Sequence, residues 1–456
     1  MSKDFMNIER IAHVYRPAAE RVRDFNEVEA PLTTQQLAEQ SARCMGCGIP
    51  FCHGTGCPLG NLIPDFNEAV HKGDWKQAWD LLSSTSSFPE FPSRICPALC
   101  EGSCTEGLNL EPVMIRQIEK AIVETAFANG WVKPSVPAKR TGKKVIIAGA
   151  GPAGLAAAVL LNQAGHSVTV YEKNKFPGGL LRYGIPDFKL NKEIIERRMR
   201  ILEESGIEFV LGTEIGTDVS AEYLRKRCDA LLITCGTPVP RDLKIPGREL
   251  KGIHFALEFL QGQNRVNSGE LPGLPVSAKG KRVLVIGGGD TGSDCVGTAN
   301  RQGARSVTQI EIMPRPPEKR SESTPWPNWP YILRTSSSHE EGCVRRWDIQ
   351  SRKFNGKNGS VASVDIVPVR WTLSPFGKPL KFEELADKAE TIEADLVLLA
   401  LGFLKLDRAA MLERLKLADM PEVFIAGDSA NGPSLVVRAI VDGRKAAAQI
   451  DRYLSK

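Results

Sequence analysis

Seven of the eleven cysteines in this 456-residue sequence lie close together in its N-terminal part. They are Cys44, Cys47, Cys52, Cys57, Cys96, Cys100 and Cys104. Thiolates are soft ligands that suit iron–sulfur clusters or zinc, and crowding them is costly unless a metal relieves the repulsion. Structural zinc prefers two Cys-x2-Cys pairs, and only one pair with that spacing is present. The pattern therefore favours iron–sulfur clusters over one or two zinc sites.

Two cubane clusters need one more ligand than these seven thiolates supply. Glu119 follows the last cysteine on a predicted helix, and its carboxylate is a candidate for the eighth ligand. The same residue is equally well explained as an acid on a solvated helix surface. Both interpretations of Glu119 stay open on the local sequence.

A second source of chemistry is a glycine pattern that follows a short β-branched run at 145–148. Gly149, Gly151 and Gly154 have the G-x-G-x-x-G spacing, and a helix and a second strand ending at Glu172 come after them. The glycines allow a tight turn, close approach of a pyrophosphate and close helix packing. The acid can accept hydrogen bonds from a ribose. Strand, glycines, helix, strand and acid at these offsets predict a dinucleotide site.

The same pattern recurs after the strand at 283–286. Its predicted nucleotide-binding residues are Gly287, Gly289, Asp290, Thr291 and Gly292. Each such fold offers one helix N-terminus to one pyrophosphate, so two patterns predict two dinucleotides. Glu311 at the end of the next strand favours the unphosphorylated ribose of NADH, whereas nearby basic residues favour NADPH. The evidence for NADH and the evidence for NADPH are nearly balanced on the sequence. We expect NADPH, with the basic residues Arg315, Lys319 and Arg320 as its further ligands.

Further residues are predicted to contact a flavin bound at the first glycine pattern. They are Gly179, Arg182, Gly427, Asp428, Ser434 and Leu435. The glycine lets the backbone pass close to a flat ring, and the arginine after it can reach an anionic flavin edge. The aspartate follows a buried strand and can accept a hydrogen bond from the ribityl chain. The last helix begins near the serine, so its N-terminus would stabilise charge on the reduced flavin.

The composition is that of an ordinary globular protein, with 42% hydrophobic and 25% charged residues. A net charge of +5 is too small to indicate nucleic-acid binding, and no basic run with interleaved aromatic residues is present. No apolar run reaches the length of a membrane span, and the N-terminus lacks the apolar core of a signal peptide. We therefore expect a cytoplasmic protein that binds neither nucleic acid nor membrane.

The elements that must position these residues divide the chain into a helical region and two dinucleotide folds. Helical patterns joined by Cys- and Pro-rich loops fill the first 140 residues, and alternating strands and helices follow. We predict an α/β fold class, with two Rossmann-like, glutathione-reductase-like domains preceded by an α-helical iron–sulfur domain. The predicted boundaries are 1–140 for two 4Fe-4S clusters, 141–253 and 404–456 for FAD, and 254–403 for NAD(P)H.

Nearly every segment resembles the small (β) subunit family of glutamate synthases. The motifs that carry the resemblance are CMGCGIPFCHGTGCPLGNLIPDFN, CPALCEGSC, GAGPAGL, PGGLLRYGIPDFKL, GGGDTGSDC and AGDSANGPSLVVRAI. The most discriminating stretch runs from Ile312 to Trp347 and contains MPRPPEKR, PWPNWP and LRTSSSHEEG.

The resemblance implies one cluster held by Cys44, Cys47 and Cys52. It implies a second cluster held by the other four, Cys57, Cys96, Cys100 and Cys104. In the related dihydropyrimidine dehydrogenase a glutamine completes the first cluster, and Glu119 occupies the matching position here. The family also implies FAD, NADPH and two 4Fe-4S clusters, with hydride passing to the flavin and single electrons to the clusters.

The function implied is oxidation of NADPH to supply electrons for glutamate formation from glutamine and 2-oxoglutarate. The resemblance also implies a hetero-oligomer, because the FMN-containing large subunit must then be a separate chain. A stand-alone NAD(P)H oxidoreductase that reduces ferredoxin or another partner would use the same cofactors, and co-purification with a large subunit would distinguish the two. A non-enzymatic cluster scaffold would show no turnover, and the two complete glycine patterns argue against it.

Overall fold

The computed structural model describes residues 4–12, 15–237, 239–374, 377–418 and 420–456. Over these residues the chain forms a helical N-terminal region, two five-stranded parallel sheets and a four-stranded antiparallel sheet. The predicted α/β class, with helices before two parallel-sheet folds, is confirmed. In the described part of the chain, no helix is both long enough and apolar enough to span a membrane.

The N-terminal region contains seven α-helices in its described residues, most of which pack around one apolar core. They are α1 (Ala18–Arg21), α2 (Thr34–Ala42), α3 (Ile63–His71), α4 (Trp75–Thr85), α5 (Pro92–Ile95), α6 (Leu99–Gly102) and α7 (Ile115–Ala128). Thr33 and Asp74 begin α2 and α4 by accepting backbone N–H groups of the first turn. Buried side chains of α3, α4 and α7 fill the core, and four of the clustered cysteines lie within it. The sequence thus places the thiols in apolar surroundings.

The first dinucleotide fold starts directly after this region. Its strands are β1 (Lys144–Ala148), β2 (Ser167–Glu172), β3 (Glu208–Leu211) and β4 (Ala230–Ile233), and its helices are α8 (Pro152–Gln163), α9 (Leu180–Tyr183), α10 (Lys192–Glu204) and α11 (Ala221–Arg225). All strand pairs are parallel. The central strands β1 and β4 are buried along nearly their whole length, as expected for a parallel sheet covered on both faces.

The second dinucleotide fold carries the antiparallel sheet beside its own parallel sheet. Its helices are α12 (Ala256–Asn267), α13 (Asp290–Arg301) and α14 (Ser337–Glu340). Its strands are β5 (Ile253–Phe255), β6 (Arg282–Ile286), β7 (Ser306–Ile310), β8 (Val344–Arg346), β9 (Ile349–Lys357), β10 (Ser360–Leu373), β11 (Pro379–Glu384), β12 (Glu390–Glu393) and β13 (Leu396–Leu399). The parallel sheet has the order β5-β13-β6-β7-β8, and β9 to β12 form the antiparallel sheet.

The C-terminal segment returns to the first fold. It contains α15 (Arg408–Arg414), β14 (Val423–Ile425), α16 (Asp428–Asn431) and α17 (Val436–Leu454). Strand β14 pairs with β4 and completes the order β14-β4-β1-β2-β3. Helix α17 packs on α8 so closely that a Cβ on Gly443 would lie 2.1 Å from the Ala153 carbonyl oxygen. The first sheet is therefore built from two separate stretches of the chain.

Buried ion pairs attach the helical region to both folds. Arg198 of α10 donates from Nε and Nη2 to the carboxylate of Glu90, at 2.5 and 3.0 Å, and Glu90 is fully buried. Glu341 accepts from Arg301 of α13 and from Arg21 of α1. Removing one partner of such a pair leaves an uncompensated buried charge. These pairs therefore fix how the helical region sits on the two folds.

We expect Glu90→Gln to lower the free energy of unfolding by about 3–5 kcal/mol, because the Arg198 guanidinium would stay buried without a counter-charge. Chemical denaturation followed by tryptophan fluorescence measures the change. Glu222→Gln is the matched control, since Glu222 pairs with Lys226 on the surface and such pairs contribute little. Equal effects of the two substitutions would contradict the role given to the Arg198–Glu90 pair.

Candidate functional site

One large cavity, of about 1920 Å³, lies between the two dinucleotide folds and the helical region. Both glycine loops open into it, through Gly149 and Gly151 on one side and Gly288 and Gly289 on the other. Asp290 and Thr291, the first residues of α13, also line it. The two predicted dinucleotide sites thus share one cavity.

The first and third glycines of each loop are packing positions. Gly149 and Gly287 have φ values of 107° and 122°. A Cβ on either would lie 2.6 or 2.3 Å from a backbone oxygen of the strand end beside it. A Cβ on Gly154 or Gly292 would lie 2.1 or 2.3 Å from the carbonyl oxygen of the first glycine. These four positions accept only glycine because the helix must start directly against the sheet.

The middle glycines, Gly151 and Gly289, have a different role. Each has an extended backbone, with φ of −81°, and no protein atom lies within 4 Å of a Cβ built on it. The added atom would project into open space where the loop faces the cavity. The absent side chain therefore leaves room for a ligand rather than for the protein itself.

An acid holds each glycine loop from the end of the neighbouring strand. Glu172 accepts the Ala150 N–H at 3.0 Å and the Asn174 N–H at 2.9 Å. Glu311 accepts the Gly288 N–H at 2.6 Å and the Met313 N–H at 3.0 Å. Both carboxylates line the cavity at equivalent places, so the two sites have the same local construction.

Most residues predicted to contact a flavin lie on the cavity wall near the first loop. Gly179, Asp428, Ser434 and Leu435 line it. Asp428 accepts a hydrogen bond from the Ser434 hydroxyl at 2.7 Å, and burial raises the pKa of its carboxyl. Gly427 lies just behind this wall, because a Cβ there would be 2.7 Å from the Ala153 Cβ of α8.

Arg182 is an exception. Its Nε donates to the Pro177 carbonyl at 3.1 Å, and its Nη2 donates to Glu196 at 3.2 Å. Its guanidinium also stacks on the Phe176 ring, 4.8 Å from the centroid. The side chain is buried against these groups and is not part of the cavity wall. The structure gives no support to the predicted contact of this arginine with a flavin edge.

The predicted basic ligands of the second site lie away from the cavity as well. Arg315 pairs with Glu318 on the surface, and Arg320 donates to the Gly102 carbonyl of α6 at 2.7 Å. Neither these arginines nor Lys319 lines the cavity. The basic side chains of the second fold that do line it include Arg334, Arg345 and Lys378, none of which is a predicted nucleotide ligand.

A buried ion pair joins the two dinucleotide folds at the cavity. Lys189, just before α10, forms a salt bridge with Asp294 of α13, and both line the cavity. The Asp294 side chain is almost fully buried. Because the pair spans the boundary between the folds, it fixes the separation of the two glycine loops.

Four thiols form what we call the first cysteine group. Cys44, Cys47, Cys52 and Cys104 line one small cavity in the helical region. Burial, together with the neighbouring thiolates, raises the pKa of Cys44 and of Cys52 to about 12. Such thiols become thiolates only when a metal compensates the charge. The donor set fits a metal–sulfur cluster seated among them.

The second cysteine group consists of Cys57, Cys96 and Cys100 together with Glu119. Burial raises the pKa of all three thiols, and the Glu119 carboxylate raises each of them as well. Glu119 is 7% exposed and accepts a hydrogen bond from the Asn61 amide at 2.7 Å. Burial raises the pKa of Glu119 to about 7. The interpretation of Glu119 as a solvated surface acid is therefore wrong.

This grouping differs from the division of ligands expected from the family resemblance. Cys104 belongs with the first group and Glu119 with the second, the reverse of the expected assignment. The reason is that α6 ends before Cys104 and turns its thiol toward Cys44, whereas α7 presents Glu119 toward Cys100. Among the described residues, no three His, Cys, Asp or Glu side chains are placed to hold a metal ion.

The second cysteine group adjoins the large cavity. Cys96 and Pro97 form part of its wall, together with Arg94 and Arg116. The first group lines the separate small cavity, whose wall includes the partly exposed Met45. The second group therefore contributes to the large cavity, whereas the first group lies outside it.

Residues 320–334, which we call the strap, extend from the second dinucleotide fold onto the helical region. Trp326 packs against Phe51 with ring centroids 4.5 Å apart, and the Ser103 hydroxyl donates to the Pro327 carbonyl at 2.7 Å. Thr324 and Arg334 line the large cavity. The strap thus contacts the first cysteine group on one side and the cavity on the other.

Comparison with known proteins agrees with this architecture. Residues 21–131 match the family described as dihydropyrimidine dehydrogenase domain II, 4Fe-4S cluster. Residues 143–325 match the family of pyridine nucleotide-disulphide oxidoreductases. FprA from Mycobacterium tuberculosis in complex with NADPH has a TM-score of 0.54 at 18% identity, covering 69% of this chain and 85% of that chain. This last likeness shows the fold alone.

Two curated relatives match over nearly the whole chain. The glutamate synthase (NADPH) small chain of Mycobacterium tuberculosis (strain H37Rv) is 48% identical, covering 96% of this chain and 93% of that protein. The glutamate synthase (NADH) of Saccharomyces cerevisiae is 42% identical, covering 99% of this chain and 22% of that longer protein.

The fold and the site define an oxidoreductase in which an iron–sulfur domain precedes a pyridine-nucleotide flavoprotein. The 48% identity over nearly full length specifies the family further. The chain belongs to the glutamate synthase small-chain family, as its sequence motifs indicated.

We expect Gly289→Val to weaken nucleotide binding at least ~10-fold while leaving the flavin bound, because the new side chain fills only the space at the second loop. Gly151→Val should instead remove the flavin. Flavin absorbance after gel filtration and calorimetric titration with NADP⁺ measure the two effects. Since neither Cβ meets a protein atom, both variants should fold. Gly289→Val should keep the wild-type melting temperature, whereas Gly151→Val should lose the stabilisation that the bound flavin supplies. Loss of the same cofactor from both variants would contradict the division into two sites.

Proposed function

We propose that this chain is the electron-input subunit of an NADPH-dependent glutamate synthase. The observation that carries the proposal is the single cavity, whose wall contains two dinucleotide loops and one thiol of the second cysteine group. When bound, FAD would accept hydride from NADPH, and two 4Fe-4S clusters would pass single electrons to an FMN in a large subunit that makes glutamate from glutamine and 2-oxoglutarate.

The residues of this chain serve to bind and orient these groups. The N-termini of α8 and α13 face the cavity beside Gly151 and Gly289, where their N–H groups can hold the two pyrophosphates. Glu172 and Glu311 stiffen the loops and offer oxygens toward the riboses. No side chain would need to act as a general acid or base, because the bound cofactors would supply the hydride chemistry themselves.

The two cysteine groups provide ligands for two clusters in this proposal. Cys44, Cys47, Cys52 and Cys104 would hold the outer cluster. Cys57, Cys96, Cys100 and Glu119 would hold the inner cluster, beside the flavin. Asn61 supports the inner site by orienting the Glu119 carboxylate through its amide N–H.

A partner surface next to the outer cluster supports the hetero-oligomer. Met45 and Ile49 lie between the first cysteines of the group, and Ile49 is 79% exposed. Leu108 and Leu110, just after Cys104, are about half exposed. Exposed apolar side chains around a group that must release electrons suit an association surface for the large subunit.

Iron content and mutagenesis test the two-cluster assignment. The purified protein should contain FAD and about eight irons per chain, with matching acid-labile sulfide. The double variant Cys44→Ser/Cys104→Ser should retain about four irons, because both residues belong to one group. The double variant Cys57→Ser/Cys104→Ser should lose nearly all iron. Cys228→Ser, outside both groups, serves as the control.

Two outcomes would overturn the assignment. Stoichiometric zinc without acid-labile sulfide would exclude clusters altogether. Retention of about four irons in Cys57→Ser/Cys104→Ser would restore the grouping expected from the family resemblance.

Association with the large subunit tests the proposed partner surface. Ile49→Glu should weaken the complex at least ~10-fold, because a charge would replace a desolvated apolar contact. NADPH-dependent reduction of ferricyanide by the isolated chain should stay unchanged. Leu380→Glu, at a leucine that is 62% exposed on the antiparallel sheet, is the matched control. Analytical ultracentrifugation with the large subunit measures the affinities, and equal weakening by both variants would refute this surface.

A mixture of this chain with the large subunit also distinguishes the proposed function from the alternative, a stand-alone oxidoreductase. A stand-alone oxidoreductase would turn over with ferredoxin yet form no complex and no glutamate with the large subunit. Glutamate formation that requires both chains and NADPH is the result we expect.

A further inference from the structure

One wall of the nucleotide side of the cavity carries an arginine and an indole ring, and a second arginine outside that wall packs on the same ring. The guanidinium carbon of Arg345 lies 4.8 Å from the Trp347 ring centroid, and that of Arg315 lies 5.5 Å from it. Arg345 and Trp347 both line the cavity. Stacking on an indole limits the motion of a guanidinium and holds the N–H donors of the guanidinium in a fixed direction.

The strand register places Arg345 beside the second glycine loop. Strand β8 pairs in parallel with β7, so that Arg345 is opposite Gln309. Gln309 and Glu311 are two residues apart and lie on one side of the sheet. Both hold the loop, since Gln309 donates to the Gly287 carbonyl at 2.8 Å and Glu311 accepts the Gly288 N–H. Arg345 therefore lies on the side of the sheet that carries the loop.

Arg345 has no counter-ion within the described part of the chain. Its only hydrogen bond is a long one to the Thr335 hydroxyl, at 3.4 Å. The neighbouring Arg346 pairs with Glu390 instead, and Arg315 pairs with Glu318. Burial lowers the pKa of Arg345, and the Arg315 charge lowers it further. A half-buried guanidinium that faces a cavity beside a second cation is an incomplete anion site.

We propose that Arg345 binds the ribose 2′-phosphate of NADPH, with Trp347 positioning it, and so determines the preference for NADPH over NADH. The inference rests on the proposed function, because it deepens the assignment of the second loop to a nicotinamide nucleotide. In this proposal Arg345 binds the 2′-phosphate in place of Lys319 and Arg320, since neither of those two residues lines the cavity. Glu311 would oppose a 2′-phosphate by like charge, but two backbone N–H donors already offset its charge.

Binding of nucleotide fragments to the flavin-loaded protein tests the proposal without turnover. Adenosine 2′,5′-bisphosphate contains the 2′-phosphate, and 5′-AMP lacks it. In Arg345→Gln we expect the affinity for the bisphosphate to fall about 10- to 100-fold, the loss expected for one charge-assisted contact. The affinity for 5′-AMP should stay unchanged. Isothermal titration calorimetry measures both, and the ratio of kcat/KM for NADPH to that for NADH should fall by the same factor.

Two further variants control this experiment. Arg346→Gln removes the adjacent arginine, which pairs with Glu390, and should change neither affinity. Arg345→Lys retains the charge without the planar fork, so the bisphosphate affinity should fall between wild type and Arg345→Gln. This conservative variant keeps the test decisive if Arg345→Gln does not fold.

Three outcomes would overturn the proposal. Unchanged bisphosphate affinity in Arg345→Gln would exclude the contact. An equal loss for both fragments would mean that Arg345 only supports the loop. If the wild-type protein binds neither fragment while retaining its flavin, the assignment of the second loop to a nicotinamide nucleotide fails together with this inference.

Discussion

The steric limit at the two glycine loops determines most of this structure. Backbone oxygens of the strand ends approach Gly149 and Gly287 so closely that no side chain fits. Each helix can therefore start directly against its sheet and direct its N–H groups into the cavity. The same limit recurs at Gly443, where α17 closes over α8. Close backbone packing at a few glycines thus creates both the cavity and the surfaces that surround it.

The stability of the helical region depends on a different balance. Burial disfavours charged thiolates, whereas a bound metal would compensate their charge. Burial favours the protonated forms of six of the clustered thiols and of the Glu119 carboxyl. Thiolates in these surroundings need a compensating positive charge, and the Asn61 amide gives the Glu119 carboxyl one hydrogen bond. Metal binding and folding of this region are therefore coupled.

The sequence was sufficient for features that depend on local patterns. The strands, the glycine loops, the acids after β2 and β7 and the cysteine clustering follow from spacing along the chain, and the parallel sheets confirm that reading. Features that depend on tertiary packing were not accessible. The turn after α6 decides the partners of Cys104, and the long path from Glu311 to β8 brings Arg345 rather than Arg320 to the cavity. Arg182 likewise donates a hydrogen bond to Glu196 of a separate helix, a tertiary contact that the local sequence does not predict.

The ion pairs of the N-terminal segment also bear on how such proteins can evolve by recombination. Two family matches suggest two exchangeable modules, yet Arg21 and Glu90 form buried pairs with residues of the dinucleotide folds. A helical region transplanted onto an unrelated flavoprotein would carry these charges into an interface without partners, at a cost of several kcal/mol for each pair. Successful exchange of the helical region therefore requires moving the paired residues together.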